Sequence, residues 1–115
     1  GTYLNWINSE LQKECKPEDQ DIKATLQFMS QQLAAAVETV TGQDSTEYVD
    51  FHARRLVEMA GYTVMGLLLL DDTTRNDAFR RSLRVFVKYG QAEVAKHADF
   101  ISNFRPDQLA DYMQK

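Results

Sequence analysis

Two histidines and one cysteine hold most of the reactive chemistry in this chain, and their neighbours decide what that chemistry can be. Glu93 precedes His97 by one helical turn, a spacing that would bring a carboxylate and an imidazole to one metal ion. One such pair is too small a ligand set. A di-iron bundle needs carboxylates from several helices and Glu-x-x-His on two of them, and that motif is absent from the sequence. His97 is therefore expected to be a partly buried, hydrogen-bonded histidine, and no metal site is expected. His52 lies among Glu47, Asp50, Arg54, Arg55 and Glu58 and reads as part of the charged face of a helix. Cys15 has no histidine nearby in sequence to favour its thiolate, so it reads as a bystander thiol near a helix end. Being single, it forms no internal disulfide, and it suits a reducing, cytoplasmic setting. Arg80, Arg81, Arg84 and Lys88 form a basic streak, expected to be solvated and to meet acidic side chains elsewhere on the surface.

Other chemistries are excluded by pattern. The five glycines, at 1, 42, 61, 66 and 90, are scattered, so there is no nucleophile elbow, Walker loop or dinucleotide fingerprint, and no cofactor is expected in this chain. Thirteen basic against seventeen acidic residues leave a net charge of -4, which lacks the positive field that nucleic acid requires. The longest apolar run, from Val64 to Leu70, stops at Asp71-Asp72, far short of the roughly 20 residues of a membrane span. With 43% apolar and 26% charged residues in a chain of 115, the expectation is one globular domain over 1–115. The opening Gly1-Thr2, without an initiator Met, suggests a domain excised from the C-terminus of a longer protein.

The elements that must position these residues all carry the helical period, which predicts an all-α fold. Pro17, followed by Glu18 and Asp19, opens a helix whose buried stripe is Ile22, Leu26, Met29, Leu33, Val37 and Val40. Gly42 is expected to end it in the left-handed conformation, and Asp44 with Glu47 has capping-box spacing for the next helix. That helix should bury Val49, Ala53, Leu56, Ala60, Val64 and Leu67, with Leu68 and Leu70 beside them. Asp71 to Asn76 reads as a polar helix-to-helix turn. A third long helix carries Phe79, Leu83, Phe86, Gly90, Val94, His97 and Ile101, and Pro106 opens a short terminal one with Leu109, Tyr112 and Met113 as contacts. Tyr3 to Glu14, with Leu4, Ile7, Leu11 and Trp6, makes a short amphipathic helix. Short connections require antiparallel neighbours, so the expected architecture is an up-and-down bundle of three long helices with one or two short terminal helices.

Two features hint at an interface. Gly61 and Gly66 each cost a helix interior about 1 kcal/mol relative to Ala, which close approach of another helix would offset. The aromatics Tyr48, Phe51, Tyr62, Phe86, Tyr89, Phe100 and Phe104 exceed what one narrow stripe can hold, so some should lie on a second face. Gly61, Gly66, Tyr62 and Phe51 are the expected interface residues, covered by a neighbouring domain or, in a homodimer, by a second copy.

The stretch from Glu47 to Tyr62, EYVDFHARRLVEMAGY, with Met65-Gly66-Leu67-Leu68-Leu69-Leu70-Asp71 after it, resembles the C-terminal helical extension of large bacterial acyl-CoA dehydrogenases. The likeness continues from Phe86 to Phe104, where AEVAKHADFI is similar in pattern, so it spans about half the chain. The resemblance implies a parent that uses FAD and a glutamate base to remove a hydride and a proton from an acyl-CoA. In that family both lie upstream, so no catalytic or flavin-binding residue carries over to a position here. It further implies a non-catalytic domain that packs on the catalytic domains of the parent chain or on a second subunit. A freestanding homodimeric interaction module is the alternative.

Overall fold

The structure, a computed structural model, describes residues 2–113, and the backbone alone for Thr2, Tyr112 and Met113. The contacts expected of Tyr112 and Met113 therefore lie outside the described residues. Helix α1 (Thr2–Leu11) is followed by a 3-10 turn (Pro17–Asp19) that leads into α2 (Gln20–Thr41). Then come α3 (Thr46–Arg75), a 3-10 turn (Asp77–Phe79), α4 (Arg80–Asn103), a third such turn (Pro106–Gln108) and α5 (Leu109–Met113). Among the described residues there is no strand. The three long helices run up, down and up, each touching the other two, and α1 packs on α2 and α3.

Helix α2 contains neither Gly nor Pro and is rich in Ala, Leu and Gln, so little opposes helix formation along its length. Its expected stripe is the observed one. Ile22, Leu26, Met29, Leu33 and Val40 are buried, with Val37 at the margin and Ala36 inside. Each fully buried Leu, Ile or Met side chain contributes about 2 kcal/mol through removal from water. Met59 and Leu67 of α3, Leu83, Val87, Val94 and Ile101 of α4, and Ile7 of α1 complete the core.

The helix ends differ from expectation by one or a few residues. Gly42 keeps right-handed geometry (φ -66°), and Asp44 is the residue with positive φ (51°), a conformation that Asp tolerates better than most. The N-cap of α3 is Ser45, whose Oγ accepts from the Tyr48 N–H at 3.2 Å, so the Asp44 to Glu47 box does not form. The polar segment after Leu70 does not break the helix. Arg75 forks onto Asp71 (2.6 Å) and Asp72 (2.7 Å), and Thr73 Oγ donates to the Leu69 carbonyl (2.8 Å), so α3 runs on to Arg75 and the turn shrinks to Asn76.

The buried faces of α3 and α4 are rotated from their expected stripes. Tyr48, His52, Met59, Thr63, Gly66, Leu67, Leu70 and Thr73 line the inside of α3, while Val49, Leu56, Ala60 and Val64 are only partly covered and Leu68 is exposed. In α4, Val87 takes the central place expected for Phe86, and Phe79 is exposed. A helix that touches two long neighbours and α1 buries an arc wider than one stripe, and its centre is set by those neighbours.

Candidate interaction face

On the outer side of α3, Val57, Gly61, Met65 and Leu68 recur at steps of four, four and three, forming a second apolar stripe turned to solvent. Val57 is 70% exposed, Met65 49% and Leu68 42%. Helix α4 supplies the matching ridge, with Val85 66% and Tyr89 60% exposed. Between the ridges run Tyr62, Leu69 and Phe86, half-buried where the helices meet. The Tyr62 ring lies 6.0 Å from Phe86 and 5.9 Å from Tyr89. Two shallow hollows result, one lined by Glu58, Gly61, Tyr62, Met65 and Phe86, the other by Leu69, Arg81, Ser82, Val85, Phe86 and Tyr89. Scattered apolar side chains are normal on a surface, but a contiguous strip along two helices is the mark of an interaction site.

Of the four residues expected at an interface, Gly61 and Tyr62 belong to this face. Gly66 does not. It is buried within the bundle, where a Cβ would stand 2.5 Å from Leu26 Cδ2, so the close approach there comes from α2. At Gly61 a Cβ would meet nothing within 4 Å, which removes the tight packing expected at that position inside the fold. Phe51 lies at the far end of α3, stacked on Phe104 (4.9 Å) and under the Arg55 guanidinium (5.1 Å). Met65, Leu68, Val57 and Val85 were not among the expected interface residues. The four-four-three spacing of the second α3 stripe is the signal that marks three of them.

The histidines separate in role. His97 Nε2–H donates to Glu58 Oε1 of α3 at 3.0 Å, which pins the two helices together at one edge of the face. That hydrogen bond holds the Glu58 carboxyl below its usual range, while Glu93 is engaged by Lys96 instead (2.9 Å). His97 is thus partly buried and hydrogen-bonded as its position on the stripe implied, though through a carboxylate from another helix. His52 overturns its expectation. It is fully buried, neither ring nitrogen has a hydrogen-bond partner, and the rings of Tyr48, Phe51, Phe104 and Phe100 enclose it at 4.7, 5.0, 5.3 and 6.0 Å. Burial, reinforced by the nearby Arg55 cation, lowers its pKa to about 4, so the ring is neutral. The surrounding charges in sequence point outward while residue 52 faces inward, which periodicity centred on Val49 and Ala53 did not reveal.

The basic streak is largely paired. Arg80 forks onto Asp19 (2.8 and 2.9 Å), a fully buried carboxylate whose pKa this contact lowers, and Arg84 forks onto Asp21 (3.0 and 2.9 Å). These contacts tie the start of α4 to the start of α2. Arg81, on the apolar face, makes no ion pair among the described residues. Cys15 is half-buried, and burial pushes its thiol up, away from the reactive thiolate. Among the described residues no three His, Cys, Asp or Glu side chains converge as a metal site would require.

Residues 1–109 match the family described as acyl-CoA dehydrogenase C terminal. A crystal structure of an acyl-CoA dehydrogenase family protein from Porphyromonas gingivalis superposes with a TM-score of 0.84 at 42% identity, covering 92% of each chain. No curated protein matches the chain.

Proposed function

The chain belongs to the acyl-CoA dehydrogenase C-terminal family, and on that premise we propose that it serves an FAD-dependent parent enzyme as a non-catalytic packing domain. The observation that carries this reading is the exposed apolar strip of Val57, Met65, Leu68, Val85 and Tyr89 across α3 and α4. Its place is against the catalytic domains of the parent chain or against a second subunit, where burial of that area is the driving force. Flavin and acyl-CoA chemistry belong to the catalytic region. In this chain the described glycines lie in helices or, for Gly42, at a helix end, so no glycine loop is present to cradle a pyrophosphate.

The remaining assignments follow from the same premise. The parent acts in fatty acid metabolism in a bacterial cytoplasm, in keeping with the bacterial neighbour and with the fact that no helix among the described residues is long and apolar enough to cross a membrane. The net charge of -4 argues against nucleic acid as partner. The test is Met65→Glu introduced into the full-length flavoprotein. It should lower the melting temperature or the subunit mass of the enzyme and leave its flavin spectrum unchanged. An unchanged melt and mass would remove the face from this role, and flavin retained by the isolated 115-residue chain would refute the non-catalytic assignment.

A further inference from the structure

We infer that the α3–α4 face pairs with its own counterpart on a second copy of this chain, about a two-fold axis through Met65. This rests on the reading above that the face is the domain's working surface, and goes beyond it by naming the occupant. The support is charge placement along the antiparallel pair. His97 stands opposite Glu58, and Val87 stands opposite Gly66, where it is the α4 side chain nearest the missing Cβ. Counting six residues back along α4 from Val87 and six forward along α3 from Gly66 puts Arg81 level with Asp72. Met65 is then seven residues from Glu58 on one side and seven from the Asp72 level on the other, about 10 Å each way.

The two ends of the strip are therefore equidistant from Met65, and their charges are complementary when the face is rotated onto itself. Arg81, the cation without an ion pair, would lie over Glu58 of the second copy, and Asp72 would lie near Lys96 of the second copy. Glu58 and Lys96 already have contacts within the chain, at His97 and Glu93, and Asp72 has Arg75, so these rim pairs set register more than affinity. The apolar strip between them supplies the attraction, and a two-fold contact of this kind is self-complementary by construction. A residue on the axis meets its own copy.

That last property gives the test. In a Cys15→Ser background, Met65→Cys should oxidise to a disulfide-linked dimer, while Val57→Cys, two turns from the axis, should not. Light scattering over a dilution series should show the unmodified chain as a dimer, Arg81→Glu shifted at least tenfold towards monomer, and Arg81→Glu with Glu58→Arg shifted back, circular dichroism confirming that each variant is helical. Equal crosslinking at both positions, or none at Met65→Cys, would overturn the two-fold arrangement. If Met65→Glu disturbs the full-length flavoprotein but no crosslink or charge rescue is seen, the face docks on the catalytic domains and only this inference fails. If Met65→Glu has no effect there either, both fail.

Discussion

Replacing His52 with Leu should abolish a pH dependence of stability that its burial builds into the fold. The ring is neutral in the folded chain, with its pKa lowered from 6.5 to about 4 by burial and by Arg55. The unfolded chain takes up a proton at this position as pH falls through 6.5, while the folded chain resists until about 4, so stability is complete above 6.5 and is lost across that window. A gap of this size corresponds to about 3 kcal/mol in total, accumulating at about 1.4 kcal/mol per pH unit in the middle of the window. The charged groups around the ring do nothing to soften the loss, because Arg55 repels a second cation and Tyr48 is an un-ionised phenol held up by burial. Leu has nearly the same volume and no nitrogen to leave unpaired, so His52→Leu should match or exceed the parent chain at neutral pH. Urea unfolding of both chains from neutral pH down to about 4 measures the effect. The difference between them cancels the carboxylates, which both share, and should widen towards acid in favour of the variant. Parallel profiles would refute the claim that His52 is buried and unpaired.

The two helix glycines should respond in opposite directions to the same change, read as melting temperature. Gly61→Ala, with open space around the new methyl, should stabilise the chain by about 1 kcal/mol through helix propensity. Gly66→Ala sets that gain against the 2.5 Å approach of Leu26 and should instead lose about 1 kcal/mol, Leu26 yielding part of the way. Asp19→Ala leaves Arg80 facing a buried gap and should cost about 3 kcal/mol in urea unfolding, more than any exposed ion pair of this chain. Tyr48→Phe removes the bond that the phenol donates to the Phe104 carbonyl (3.0 Å) and should cost about 1 kcal/mol, with faster amide exchange after residue 104.

Much of the fold is legible in the chain itself because helix formation is local. The stripe from Ile22 to Val40, the start at Pro17 and the short terminal helices follow from spacing and from which residues a first helical turn accepts. The family could likewise be read from α3 and part of α4, since a run such as EYVDFHARRLVEMAGY keeps its order whatever it packs against. Tertiary structure decided the rotation of α3 and α4 about their own axes. Apolar residues on α3 surround more than half of the helix, so periodicity defines two stripes and does not say which one faces α2. Once α2 and α4 take their places, Met65 and Leu68 fall outside, His52 falls inside among rings from α4 and from Phe104, and Gly61 and Gly66, alike in sequence, become an open site and a packed one. The partners of His97 and Arg80, Glu58 and Asp19, lie 39 and 61 residues away, beyond the reach of any local spacing rule. Local sequence sets which surfaces a helix carries, and only packing against the other helices selects the surface that is left free to bind.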